Sequence, residues 1–93
     1  MSDRYAQKPF LEFLDSYVLD AIGALSSEED AALTAREGEW RAKVVLRMQF
    51  PAGMAKAIRE VWESGRTKFA AVNGHDPDPR EFARIFIDSK FPH

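Results

Sequence analysis

Apolar residues recur at intervals of three and four along nearly the whole chain, and this period narrows the available folds more than any other feature. From Pro9 to Leu25 the set Phe10, Phe13, Leu14, Tyr17, Val18, Ala21, Ile22 and Leu25 keeps the helical repeat. Pro9 suits a first helical turn, where its missing N–H would find no partner in any case. With Leu11 included, this set covers an arc of roughly 180°, wider than the ~100° stripe of a one-sided surface helix. A helix of that kind is expected at the centre of the fold, or partly covered by another chain. Leu19 falls outside the arc, beside Glu12, Asp15 and Gly23, and is therefore a candidate partner contact.

The later segments carry their own start and stop signals. Ser26 followed by Glu29 is a capping-box pattern, in which each side chain satisfies an orphan backbone N–H near the other. Beyond it, Leu33, Trp40, Val44 and Met48 form one stripe if a single helix runs through Gly38. Val44, Leu46, Met48 and Phe50 also alternate with Val45, Arg47 and Gln49 as a half-buried strand would, so residues 43–50 admit two readings. Helix is preferred, because no second segment offers a strand to pair with, and an unpaired strand leaves its backbone polar groups unsatisfied. Pro51 ends the element by pushing Phe50 out of the α region.

From Ala52 to Val72 the residues Met54, Ile58, Val61, Trp62, Gly65, Phe69 and Val72 lie on one arc of roughly 100°, the most regular stripe in the sequence. Gly65, in the middle of it, would let another helix or a ring approach closely. Asn73 and Gly74 tolerate the left-handed closure of a helix. Asp78, Pro79 and Glu81 supply a cap, a first-turn proline and an N3 acid for a last helix to about Lys90, with Phe82, Ile85 and Phe86 as its buried face. The expectation is one all-α domain over residues 1–93, an irregular up-and-down bundle with helices near 9–25, 27–50, 52–73 and 79–90. A break at Gly38 would make five helices, and residues 1–8 are expected to be flexible.

Composition enters as a set of exclusions. The 93 residues are 45% hydrophobic with a net charge of −2, so the chain lacks the low hydrophobicity and high charge that prevent a core. With no cysteine there is no disulfide scaffold, thiolate metal site or cysteine nucleophile. The longest stretch free of Asp, Glu, Lys and Arg is the eight residues Met48–Ala55, far below the ~20 of a membrane span. The opening Met1, Ser2, Asp3, Arg4 has no apolar run ahead of a small-residue cleavage site, which makes the cytoplasm the expected location.

The near-neutral total conceals segregation. Residues 1–40, 41–68 and 69–93 carry −6, +5 and −1. The basic middle segment could meet phosphate, or it could sit against the acidic first helix of the same molecule. Lys56 with Glu60 and Arg59 with Glu63 are spaced as i,i+4 pairs of a solvated face. A weak helix-turn-helix pattern around Gly38 would make Arg41, Lys43 and Arg47 the nucleic-acid contacts, but Thr34 and Glu39 stand where small or apolar residues should pack.

Catalytic equipment is thin. His75, Asp76, Asp78 and Glu81 are four potential metal ligands within seven residues, yet both aspartates precede prolines and one already accounts for a cap. His93 is the last residue, so acid–base chemistry would fall to carboxylates, a lysine, Tyr5 or Tyr17. Asp15 and Asp20 flank Tyr17 on the side of the helix read as polar. No GxGxxG, GxxxxGK[ST], HExxH or GxSxG sequence occurs. No cofactor or metal is expected. Trp40 and Trp62, 22 residues apart, are read first as core, and an exposed one would be the natural anchor for a partner. The functional expectation is a non-catalytic protein-interaction or self-associating module acting through Leu19, Trp40 or Trp62. The alternative is a nucleic-acid binder using segment 41–68.

Overall fold

A computed structural model describes residues 10–91. The expected flexibility of residues 1–8, the helix-starting role of Pro9, and Tyr5 and His93 all fall outside that range. Within it the chain forms five helices and no strand: α1 Phe10–Ala21, α2 Ser27–Glu37, α3 Trp40–Met48, α4 Met54–Asn73 and α5 Pro79–Lys90. The break at Gly38 separates α2 from α3, so the fold is the expected small, irregular all-α bundle in its five-helix form. None of the described helices is long and apolar enough to cross a membrane.

The broad apolar arc makes α1 the post around which the others gather. Of its twelve residues, Leu11, Leu14, Asp15, Tyr17, Val18, Leu19 and Ala21 are buried, and α3, α4 and α5 all pack directly against it. The best-buried large side chains come from four helices: Val18, Trp40, Val44, Ile58 and Ile87. Burial on this scale contributes roughly 1.5–3 kcal/mol per large aliphatic side chain, which is why these positions tolerate no polar replacement. Asp15, read from the sequence as solvent-exposed, is only 8% exposed. The side of α1 that looked polar is covered by α5, whose Arg80, Ala83 and Arg84 line a shared cleft with Asp15 and Leu19.

Local signals explain the helix ends. The capping box forms as written: Ser26 Oγ accepts from the Glu29 N–H at 3.1 Å, and the Ser26 N–H donates to Glu29 Oε1 at 3.4 Å. Asp78 accepts the Arg80 N–H at 2.9 Å, with Pro79 in the first turn of α5. By contrast α1 stops at Ala21 rather than near Leu25. Gly23 takes φ +76°, its N–H donates to the Asp20 carbonyl, and the Ala24 N–H donates to Leu19, which is a Schellman closure. Ile22 and Leu25 continue the apolar period past this stop, so periodicity alone overruns it.

Segment 43–50 resolves as helix through Met48. Trp40 and Val44 are buried and Met48 half-buried, one stripe at spacing four, while Leu46 is 80% exposed. The helix then closes through Gln49 at φ 54°, with Gln49 and Phe50 N–H groups donating to Leu46 and Val45 carbonyls. Phe50 consequently turns its ring onto Tyr17 and Phe91, at 5.3 and 5.4 Å between centroids. The ring series continues from Phe91 through Phe86 and Phe82 to Trp62.

Gln49 is the one non-glycine residue with positive φ among those described, a conformation that costs an L-residue roughly 1–2 kcal/mol. Gln49→Gly is therefore expected to stabilise the fold by about 0.5–1 kcal/mol, and Gln49→Val to destabilise it. Thermal midpoints of the two variants check this, at ~4–8 °C per kcal/mol for a domain of this size.

Candidate functional site

The acidic and basic segments meet inside the molecule. Arg41, on the first turn of α3, donates from Nε to Asp20 Oδ2 at 2.8 Å and from Nη2 to Asp20 Oδ1 at 3.0 Å, a two-point clasp on α1. Its Nη1 reaches Asp30 Oδ1 of α2 at 3.1 Å, where the Trp40 indole N–H also donates at 3.1 Å. The guanidinium lies 4.5 Å from the Trp40 ring centroid. Hydrogen bonds from Arg41 and Trp40 hold the Asp30 carboxyl below its ordinary value, and the two aspartates hold the Arg41 proton more firmly still. The Glu29 carboxyl is also lowered, first by its hydrogen bond with Arg80 at 2.6 Å and then by Ser26.

This arrangement reassigns most of the residues suggested for nucleic-acid contact. Arg41 is an internal counterion, and Lys43 is held by the Glu37 carbonyl at 2.9 Å and its carboxylate at 3.5 Å. Arg47 makes no ion pair among the described residues and stacks over Phe10 at 4.2 Å. Neither expected i,i+4 pair on α4 closes. Arg59 instead donates to the Ala21 carbonyl at the end of α1, and Glu63 pairs with Arg66.

The candidate partner contacts are corrected as well. Leu19, Trp40 and Trp62 are only 3%, 1% and 7% exposed, so each belongs to the chain's own interior. Leu19 turns toward the Ala83 side of α5, Trp40 lies under the Arg41 clasp, and Trp62 packs edge-on against Phe82 at 5.0 Å. Burial first, and the Asp20 charge second, push the Tyr17 phenol above its ordinary value, so it does not ionise near neutrality. The loop histidine His75 lies 2.9 Å from the Asp76 carbonyl and against the Phe69 ring, Asp76 leans on Arg66, and Asp78 caps α5. Among the described residues no three His, Asp or Glu side chains gather as a metal site.

Two apolar surfaces remain, neither of them anchored by a tryptophan at the surface. The first is the far half of α4 with the adjoining face of α5. Val72 is 84% exposed, Ile85 53% and Val61 47%, around a cleft of about 380 Å³ lined by Trp62, Gly65, Phe69, Pro77 and Phe82. Length contributes to it: twenty residues make α4 ~30 Å long, against ~18 Å for the twelve-residue α1 it packs on, so α1 is too short to cover the whole stripe. The close approach anticipated at Gly65 is not made within the chain, where a Cβ at that position would meet nothing within 4 Å. The second surface is a groove of about 460 Å³ between the start of α1 and α3, walled by Phe10, Phe13, Trp40, Val44 and Leu46, with Glu37, Lys43 and Arg47 as its charged lining. No protein-family model, curated protein or solved structure matches the chain.

The clasp gives a pH signature. The lowered Asp30 carboxyl, and the Glu29 carboxyl on Arg80 beside it in sequence, contribute stability that is fully present above their ordinary values, 3.8 and 4.5, and is lost as pH falls from there through their lowered folded-state values. Arg41→Met is expected to lower the thermal midpoint by several degrees at pH 7 and to flatten the acid-side decline. Arg41→Lys, which keeps charge without the two-point geometry, should fall between. Calorimetric melts from pH 7 to pH 3 read both effects.

Proposed function

We propose that the chain is a non-catalytic, cytoplasmic interaction module that associates with a second copy of itself through the far half of α4 and the facing side of α5. The observation carrying this reading is Gly65: a glycine in mid-stripe, with open space in front of it, flanked by Val61, Phe69 and Val72 at 47%, 37% and 84% exposed. Ile58, Trp62, Gly65, Phe69 and Val72 are spaced four, three, four and three, the repeat by which one helix seats on another. The chain uses only Ile58 and Trp62 of that seam as buried contacts. A two-fold contact matches identical stripes without requiring any second sequence to evolve, and a missing side chain at the crossing lets the two backbones come close.

A nucleic-acid reading has less support, because Arg41 and Lys43 are already committed to carboxylates of the same chain. Of its remaining cations, Arg59 is turned onto the Ala21 carbonyl, and Arg47, Lys56 and Lys68 come from separate turns of α3 and α4.

Sedimentation equilibrium tests the proposal with an internal control. The wild type should dimerise at high concentration, and Val72→Glu should be monomeric with an unchanged circular dichroism spectrum. Gly65→Lys should raise the thermal midpoint of the dilute protein, since lysine in an exposed helix interior gains roughly 0.5–1 kcal/mol over glycine, and yet abolish the dimer. A monodisperse wild-type monomer at millimolar concentration overturns the reading.

A further inference from the structure

The groove between α1 and α3 is lined in part by Trp40, the residue that also lies under the Arg41 clasp, and it has the composition of a receptor for a particular kind of segment. Its walls are aromatic and aliphatic: Phe10, Phe13, Trp40, Val44 and Leu46. Leu46, 80% exposed, forms a raised apolar lip that the bundle itself leaves uncovered. At the rim, charge is asymmetric. Arg36 is occupied by Glu12 at 3.0 Å and Lys43 by Glu37. Arg47 has no carboxylate among the described residues, and it is not adrift: its guanidinium lies over the Phe10 ring at 4.2 Å, which fixes the planar fork beside the groove with its N–H edge unpaired.

We infer that this groove binds an acidic amphipathic helix of another protein, its apolar residues at i, i+3/i+4 and i+7 entering between Phe10, Trp40 and Leu46 while a carboxylate meets Arg47. A helix presents anchors and charge at that spacing, and a cation prearranged by stacking loses little freedom when a carboxylate arrives. Charge decides the occupant. Glu37 and Lys43, both in the lining, offset each other, so Arg47 sets the balance: a basic segment would bring its cations against it, and an uncharged one would leave it partly desolvated without a carboxylate.

The test uses the full chain, labelled with nitrogen-15, and three 16-residue helical peptides. The first carries apolar residues on one face and glutamates elsewhere, the second has lysine in place of every glutamate, and the third keeps the glutamates but has alanine at the apolar positions. The acidic amphipathic peptide is expected to bind, with shifts at Phe10, Phe13, Leu46 and the Trp40 indole N–H. The lysine twin should bind about tenfold more weakly, and the alanine twin should not bind. Arg47→Glu, a surface change verified by an unaltered spectrum, should invert the preference in favour of the lysine twin. Leu46→Ser should weaken both. Equal binding of the two charged peptides, retention of the acidic preference in Arg47→Glu, or shifts confined to α4 and α5 would each overturn the inference. So would anionic vesicles or mixed-sequence duplex binding this face while the acidic peptide does not. Because Val72→Glu leaves the groove intact, running the titration on that variant separates this result from the dimer.

Discussion

Everything in this fold leans on α1. A helix of twelve residues is too short to be stable alone in water, and this one survives because the bundle covers it on most of its circumference. The dependence is mutual. The α3, α4 and α5 helices all find their main packing partner in α1 rather than in one another, and α2 is joined to the assembly chiefly through α3 and through ion pairs. A change that shortened or tilted α1 would therefore loosen three interfaces together. The Arg59 contact with the Ala21 carbonyl shows the same economy, since a cation from α4 satisfies the end of the helix on which α4 packs.

Charge segregation along the sequence becomes a folding device in three dimensions. The acidic opening segment and the basic middle one are brought together where Arg41 holds Asp20 of α1 and Asp30 of α2 at once, so a single side chain fixes the mutual placement of three helices. Each contact is half-exposed, and in isolation each would contribute little. Held together, shielded on one face by the Trp40 ring and extended by its indole N–H, they specify a geometry that apolar packing alone would leave loosely defined.

How much of this could be read beforehand follows from which interactions are local. The capping box at Ser26, the Asp78–Pro79 start and the closure at Gly74 are short-range chemistry, and each formed where the residues indicated. The breadth of the α1 arc correctly marked it as central. Periodicity overruns the end of α1, because Ile22 and Leu25 keep the repeat around Gly23, and the glycine is what marks the stop. Gln49 carried no compositional warning of its left-handed closure. Burial of Asp15 and Leu19, and exposure of Val61 and Val72, depend on which neighbour ends where, and the mismatch in length between α4 and α1 is invisible to a helical wheel. Arg41 illustrates the same limit: its spacing from Asp20 and Asp30 is tertiary, and only the opposed segment charges hinted at it. The Leu46 and Arg47 groove has no sequence signature of its own, since tryptophan is the stronger anchor signal and the fold buries both tryptophans.

The ring series from Tyr17 through Phe50, Phe91, Phe86 and Phe82 to Trp62 bears on how the molecule assembles in time. Helices and caps are contacts between near neighbours and close at small entropic cost. Tyr17 against Phe50 and Phe50 against Phe91 instead join positions 33 and 41 residues apart, so each must close a long loop before it gains anything. Phe50 takes part in both closures, and it is aimed by the strained turn at Gln49 immediately before it. The turn that stores backbone strain thus sits at a junction where two long-range ring contacts converge, and it helps to place Phe91, which packs on Phe86 as well.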